Sequence, residues 1–501
     1  MGLSCAQRNF YACADTPKVR WLRVLILSCL LLSPVRGLTQ EAETGTGCFA
    51  EDALPPERNL IADIGYTALS IIKSNVFINY LNRLAGSSFA MMTFESTWNN
   101  IIDPTWIWEN GDRFLVNQFL HPWHGSTYFA AARANNFNFW QSAMIVPFGS
   151  LMWEIMLEPK PAWNDLITTT LGGIAYGEIM HRLFLELGPM TSIWRIIGGF
   201  FVSPLSSYNL LYNRPNREVG GGNIERLSFR TGIEQSFAFF PGHRSEQDSW
   251  RYPGASLAVN IVYGNPFSQD FRRPFDHFEF FASFTTNTHS YHMIIVSDGY
   301  IFAFNPRWSP RGATSMGLSL HFDYFGATND LIDNFGYGNI QFSSSAIGWT
   351  VKHMHRFAQR SRFELRAHAN AILWGSTMYN ANYGDIAPPN AFWLEDIMGT
   401  NRGSFGMGPN IKLGLALDHE RAGRLDFNVN AYHIATIPVT RYHLRGNVFF
   451  VHALLNYELP LTPRMGIGAT ATMWGLFGFH DSMPDVNRML VSNFLYLAFR
   501  F

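Results

Sequence analysis

Two glutamates four residues apart stand out chemically, because they lie in an apolar segment. Glu154 and Glu158 fall within 151–158, where every other residue is apolar. In a helix this spacing places both carboxylates on one face, where they repel each other unless a cation or a proton lies between them. The partners expected for them are His121, His124, Arg133 and Arg182.

This cluster has two interpretations. In the first, it is a carboxylate–histidine site that holds a metal or acts as an acid/base pair on a lipid substrate. In the second, which the sequence favours, it is a buried ion-pair network that locks helices together. No H-E-x-x-H spacing occurs, so we assign no metal and no cofactor. The candidate catalytic residues, none with an assigned role, are His121, His124, Glu154, Glu158 and Asp165.

The same stretch of chain carries a spaced motif. Its members are His121, Pro122, Gly125, Ser126, Tyr128, Arg133, Ser142, Trp153, Glu154, Glu158, Asp165, Gly172, Gly173, Gly177 and Glu178. This set resembles the bacterial family known as domain of unknown function 3943, whose pattern HP-x-x-GS-x-Y, AR, S, WE-x-x-x-E, D, GG and GE is filled at each position. The resemblance implies an envelope protein and brings no established activity with it.

Several motif residues also have purely structural explanations. Ser126 is predicted as the N-cap of a helix that has Tyr128 in its first turn, and Asn164–Asp165 as the cap of another. The glycines at 172, 173 and 177 permit close approach of a second helix.

The elements that position these residues are predicted to be helices. Between 59 and 214 apolar residues recur with helical spacing. No run offers 18 uncharged apolar residues, so we expect no membrane-spanning helix there. Residues 215–223 are a Gly-rich linker that ends this helical module.

After the linker, apolar residues alternate with polar ones, as in β-strands. Charged and aromatic residues are 15% each and the mean hydropathy is -0.02, as in membrane barrels whose strands alternate lipid-facing and lumen-facing residues. We predict an α+β membrane protein: an N-terminal helical module, then an antiparallel transmembrane β-barrel of about 12 strands at 224–501, or 14 if Ser297–Gly299 is a turn. The connectors 356–361, 419–423 and 459–463 are short, and 326–337, 376–404, 438–445 and 479–489 are longer.

An even strand count returns both ends of the barrel to the periplasmic side. The helical module is therefore expected in the periplasm or in the lumen as a plug. The last strand ends on alternating apolar residues and resembles the assembly signal that the barrel-insertion machinery reads in bacterial outer-membrane proteins. Its residues are Leu495, Leu497, Phe499 and Phe501.

The polar phase of the strands supplies candidates for the lumen. They are His321, Asp323, Glu364, Arg366, His368, Arg424 and Asp426. Their mixed signs predict cross-strand pairs that fill the lumen, whereas a charge-selective pore more often shows one dominant sign.

The N-terminus predicts export. A basic region followed by a short apolar run predicts a signal peptide at 1–37, and 38–58 is predicted to be disordered. All four cysteines lie at or before Cys48. We therefore expect the outer membrane of a diderm bacterium, with outer-membrane lipid, the insertion machinery and a small solute or lipid as partners.

The expected function is a transport or structural role in the envelope. The alternative is an outer-membrane enzyme that acts on lipid or lipopolysaccharide through the His/Glu cluster. A net charge of -1 argues against nucleic acid as a partner. No G-x-S-x-G sequence supports a serine hydrolase.

Overall fold

A computed structural model describes the chain from Asn59 to Phe501, which we treat as one unit. Within that range the description leaves out 85, 87–89, 109–112, 188–192, 212–221, 240–252, 268–270, 288–289, 307–310, 329–339, 379–403, 440–444 and 482. The predicted signal peptide, the segment 38–58, the linker up to 221 and most of the long connectors lie outside the described residues.

The first part of the unit is helical. The described helices are α1 (Leu60–Leu84), α2 (Phe94–Ile102), α3 (His121–Ala134), α4 (Phe139–Leu157), α5 (Trp163–Leu185), α6 (Ile193–Val202) and α7 (Pro204–Leu211), with a π-helical turn at Val116–Leu120. Side-chain caps begin three of them. The Asn59 side chain accepts a hydrogen bond from the backbone of Ala62, and capping boxes at Thr93 and Asn138 begin α2 and α4.

The two predicted caps within the motif are wrong. Leu120 before α3 is already helical because the π-helical turn runs into it, so Ser126 lies inside the helix and donates to the Trp123 carbonyl at 2.6 Å. Helix α5 begins at Trp163 after an extended Ala162, which places Asn164 and Asp165 in its first turn.

The second part of the unit is a closed antiparallel barrel of 12 strands. The strands are β1 (Ile224–Phe239), β2 (Gly254–Tyr263), β3 (Phe278–Thr286), β4 (Tyr291–Phe304), β5 (Gly312–Thr328), β6 (Ile340–Ala358), β7 (Ser361–Met378), β8 (Ser404–His419), β9 (Gly423–Thr436), β10 (Gly446–Pro460), β11 (Met465–His480) and β12 (Met483–Arg500). Each strand pairs with its neighbours in sequence, and β1 pairs with β12 to close the barrel, with Phe229 opposite Phe499.

The predicted fold is therefore confirmed, with the lower strand count. Ser297–Gly299 lies inside the continuous strand β4 and makes no turn. The predicted connector 479–489 is wrong, because β11 extends to His480 and β12 begins at Met483. We call the end of the barrel where β1 begins and β12 ends the proximal end, and the opposite end the distal end.

Contacts between non-adjacent strands identify the lumen face. Lys412 on β8 reaches Asp323 on β5 at 2.6 Å, and Lys352 on β6 reaches Glu279 on β3 at 2.8 Å. Such pairs can meet only across the barrel interior. Successive residues of a strand point to opposite faces, so the neighbours of these charged residues lie on the outer face.

The helices lie against this outer face. Tyr176 of α5 packs its ring on Phe280 of β3 and Phe322 of β5, with centroids 6.0 and 6.1 Å apart. Both phenylalanines alternate with lumen residues and therefore point outward. The Trp374 indole of β7 donates to Asn164 at the start of α5, at 3.4 Å.

Helix α5 thus runs obliquely over the outer wall, from the distal end of β7 to the proximal end of β3. Of the two expected positions of the helical module, in the periplasm or as a plug in the lumen, the plug is wrong, since the helices lie on the outer face and strand side chains fill the interior. One described helix, α1, is long and apolar enough by length and composition to cross a membrane, although we expected none.

Candidate functional site

The motif glycines let α3 and α5 approach each other closely. A side chain at Gly125 would collide with the Thr169 carbonyl, and one at Gly173 would collide with the backbone of Gly125. Gly172 and Gly177 leave similar room for Pro122 and Phe129. The predicted structural role of these glycines accounts for their positions along the α3–α5 interface.

His121 lies at the distal end of this interface, between two side chains of α5. Its Nδ1 is 3.1 Å from Thr169 Oγ1, and its Nε2 is 3.9 Å from Asp165 Oδ2. Asp165 is fully buried and also accepts from the Asn164 amide at 3.0 Å. The imidazole of His121 therefore lies in space between a hydroxyl and a carboxylate.

His124 faces the other side of α3. Its Nε2 is 3.1 Å from the Tyr128 hydroxyl, which donates to Asn75 of α1 at 2.6 Å. The edge of the Trp153 ring meets the imidazole at a centroid distance of 4.8 Å. These buried contacts join α1, α3 and α4.

The two glutamates of the predicted pair do not share a helix face, because α4 ends at Leu157 and Glu158 is its extended C-cap. Glu158 accepts from the Trp153 indole at 2.9 Å, and Glu154 accepts from the Ala162 backbone at 2.9 Å. Both carboxylates are buried and fix the turn between α4 and α5.

The arginines expected beside these glutamates bind Glu178 instead. Arg133 of α3 and Arg182 of α5 contact its carboxylate at 2.8 and 2.7 Å. Arg182 continues to Asp276, just before β3, at 3.2 Å. This network ties α3, α5 and the proximal rim of the barrel together.

The motif residues are thus spread along one helix interface and are not gathered around one reacting centre. Ser142 is buried in the first turn of α4, and Pro122 occupies the first turn of α3. Across the described ranges, no group of three or more His, Cys, Asp or Glu side chains is arranged to hold a metal ion.

A second group of polar residues fills the proximal half of the lumen. Glu279 of β3 binds both Lys352 of β6 and Arg366 of β7 at 2.8 Å. Lys352 also lies 2.8 Å from Nε2 of His277, the residue before β3, whose Nδ1 lies 2.8 Å from the Gly264 carbonyl. Burial and the Lys352 cation lower the pKa of His277 to about 4, so it is neutral at pH 7.

The seven lumen residues predicted from the sequence all lie in this interior. Asp323 binds Lys412 and accepts from the Tyr432 hydroxyl at 3.1 Å. The rings of His321 and His368 meet edge to face at 5.1 Å. Arg424 binds Glu364 at 2.7 Å and Asp426 at 2.9 Å, and Arg366 completes the set.

Aromatic side chains close the distal half of the lumen. Phe325 contacts Phe450 and Trp474 at centroid distances of 4.8 and 5.8 Å, and Phe342 stacks on Phe450 at 4.9 Å. Apolar residues of other strands, including Leu476 and Leu490, pack around them. We call Phe325, Phe342, Phe450, Trp474 and their neighbours the aromatic layer.

On the proximal side of the aromatic layer, the lumen contains a cavity of about 340 Å³. It reaches the proximal turn at Glu420 and Gly423, and its inner wall includes His368, Lys412 and His452. We call this cavity the vestibule.

The sequence analysis missed several vestibule and network residues. Lys352, Glu279 and Lys412 lie on the polar phase of strands that were predicted, so the alternation could have identified them. Arg226 alternates in the same way with Leu227, but alternation does not show whether a charged residue has an ion-pair partner.

No curated protein matches this sequence. Solved structures of similar fold include the NanC porin, 8% identical with a TM-score of 0.25, over 55% of this chain and 98% of that chain. The KdgM porin in complex with disordered oligogalacturonate is 5% identical with a TM-score of 0.23, over 55% and 99%. The translocator domain of the autotransporter NalP from Neisseria meningitidis is 9% identical with a TM-score of 0.23, over 56% and 90%.

The family comparison concerns the helical module. Residues 105–205 match the family model described as Domain of unknown function (DUF3943), which confirms the resemblance predicted from the motif.

Proposed function

We propose that this chain is an integral β-barrel protein of the outer membrane of a diderm bacterium, exported by a signal peptide, with a gated transport role for a small solute. The observation that carries the membrane assignment is the reversed polarity of the unit. Ile233, Leu257, Ile411 and Leu495 are 61–66% exposed on the outer face, around a lumen of ion pairs. An exposed apolar surface of this kind is stable when lipid covers it.

Helix α1 has the same reversed polarity. Its buried positions include Asp63, Thr67, Asn75 and Asn79, whereas most of its apolar side chains other than Ile71 are exposed or half-buried, with Ile61 at 84%. A helix of a soluble protein buries its apolar face instead. Helix α1 is therefore suited to face lipid on its outer side and the helical module on its inner side.

Helix α5 has a length compatible with the same environment. Its 23 residues span about 35 Å at 1.5 Å per residue, against about 30 Å of bilayer hydrocarbon. We infer that the helical module lies in the membrane against the wall of β2–β7, and that outer-membrane lipid contacts its exposed side. The outward-facing Leu495 and Leu497 of β12 support recognition by the insertion machinery, as their pattern predicted.

The transport role rests on the two halves of the lumen. The vestibule reaches the exposed Glu420 at the proximal end and is lined mainly by charged and polar residues, so it can receive a small solute. On its distal side, the rings of the aromatic layer pack against one another across the lumen, so we infer that the resting barrel is closed and that passage requires this layer to move.

Conductance of the reconstituted protein tests the gate. Wild type is expected to give no current steps in planar bilayers. The triple variant Phe342→Ala, Phe450→Ala, Trp474→Ala removes much of the aromatic layer and is expected to conduct. Phe405→Ala is the matched control, because it removes a buried ring that stacks on Trp374 outside the lumen.

A triple variant that folds and stays silent would contradict the gate and favour a structural role. Heat-dependent gel mobility establishes beforehand that each variant is folded. Steady conductance of the wild type would contradict the closed state.

A lipid-modifying enzyme is the second candidate, favoured by the spatial arrangement in which His121 lies between Thr169 and Asp165. In this arrangement His121 would act as general base on the Thr169 hydroxyl, and Asp165 would orient the imidazole. A lipid profile of the envelope that is unchanged in His121→Ala and Glu154→Gln strains with normal protein levels would eliminate this candidate.

A further inference from the structure

Arg226 is a cation of the vestibule whose charge is not matched by an ion pair. It lies on the lumen face at the start of β1 and lines the vestibule. In the described part of the chain, no hydrogen bond or ion pair within 4 Å reaches its guanidinium. The like charge of Arg424 repels it.

The carboxylates around Arg226 are already bound by other cations. Glu364, Asp426 and Glu279 act on it from beyond ion-pair distance. Arg424 binds the first two, and the third is shared by Lys352 and Arg366. A further anion beside Arg226 would therefore supply a negative charge that the nearby carboxylates do not.

Two other groups on the vestibule wall have unused hydrogen-bonding capacity. Within the described ranges, the hydroxyl of Ser228 and Nη1 of Arg424 are both buried without a hydrogen-bond partner. Asp418 lies 3.7 Å from that Nη1. Ser228 is two residues from Arg226 on the same strand face, so both point into the vestibule. Buried polar groups are nearly always satisfied by protein or water, so these two groups on the cavity wall are available to hydrogen-bond a ligand.

We propose that the vestibule binds a small organic or inorganic anion, with Arg226 as its principal contact and Ser228 and Arg424 as additional donors. An arginine fork matches the geometry of a carboxylate or a phosphate. A cavity of about 340 Å³ is at the lower end of the range for ligand pockets, which fits a molecule the size of a sugar acid. The amide of Asn260, on the neighbouring strand β2, lines the same cavity and suits a hydroxyl group.

This inference goes beyond the proposed function, because binding in the vestibule does not require the solute to cross the membrane. It is tested by isothermal titration calorimetry of the folded full chain in a non-ionic detergent. The probes are D-glucuronate and inorganic phosphate, which distinguish a sugar carboxylate from a phosphate. Neutral D-glucose is the uncharged control.

Saturable binding of glucuronate or phosphate to the wild type is expected, without binding of glucose. Arg226→Gln is expected to weaken it about 10-fold or more, because a charge-assisted hydrogen bond is lost. Ser228→Ala is expected to weaken it by a smaller factor. Arg360→Gln removes a positive charge from the proximal turn outside the vestibule lining and is expected to bind like the wild type.

The absence of saturable binding of either anion to the wild type would overturn the proposal. So would equal binding by wild type and Arg226→Gln. A structural role for Arg226 predicts a less stable Arg226→Gln variant, whereas relief of the repulsion with Arg424 predicts unchanged or higher stability without ligand. Should Arg226→Gln not fold, Ser228→Ala and the wild-type titration still decide the question.

Discussion

Glu178 is the residue on which the attachment of α3 to α5 most depends. It is fully buried and holds two arginines, one from each helix. The arginine on α5 also contacts the segment before β3. Loss of this carboxylate would remove an ion-pair partner from both guanidinium groups in a buried interface.

We expect Glu178→Gln to lower the free energy of unfolding by about 3–5 kcal/mol, the cost of breaking a buried ion pair. Glu420→Gln is the control, because Glu420 pairs with Arg360 on the exposed proximal turn, where a salt bridge contributes about 1 kcal/mol or less. Urea titration of the detergent-folded protein measures both. Equal midpoints for the two variants would contradict the role of Glu178.

For individual residues, the sequence predicts which ones stabilise the structure better than it predicts which ones contact each other. It identified Arg133, Arg182 and Glu178, but assigned the arginines to Glu154 and Glu158. Arg133 and Glu178 are 45 positions apart, and no local spacing reports such a contact. Arg226 escaped notice because its unmatched charge is visible only once its neighbours are paired.

Among the helices, α3 and α5 can pack closely because glycines line their interface. The side chain of any other residue at Gly125 would collide with the backbone of α5. Gly65 of α1, by contrast, has no atom within 4 Å of the position of an added Cβ. Alanine substitutions at these two glycines therefore distinguish the effect of helix packing on stability from the effect of helix propensity.

We expect Gly125→Ala to destabilise the protein by about 1–3 kcal/mol or more, because the helices are forced apart. Gly65→Ala is expected to be neutral or to stabilise by up to about 1 kcal/mol, since alanine favours a helix. Thermal unfolding followed by circular dichroism compares them. A Gly125→Ala protein as stable as Gly65→Ala would show that the α3–α5 interface can accommodate a larger side chain, which contradicts close packing there.

The strands could be predicted because their two faces differ in polarity over 10 or more residues, which fixes both element type and register. The covering of β2–β7 by helices could not be predicted in this way. Alternation identifies an apolar face but not whether lipid or another part of the chain covers it. Helix α1 shows the same ambiguity, since its exposed face is the apolar one.

In the intact protein, we expect the helical module to be embedded in lipid beside the barrel. Phe148 of α4 is 69% exposed and should contact acyl chains. A spin label at Phe148→Cys, in a Cys48→Ser background, is expected to be accessible to oxygen and shielded from a water-soluble nickel complex. A label at Glu420→Cys on the proximal turn should show the opposite. Equal access of the nickel complex to both labels would place the helices in water.

We propose that residues 224–501 form a barrel that resides in a membrane. The most direct measurement is gel mobility of the detergent-purified chain with and without boiling, followed by circular dichroism. We expect a band that migrates faster before boiling, together with a strong β signal that is lost on heating. A chain that stays soluble without detergent and runs at one position in both samples would contradict it.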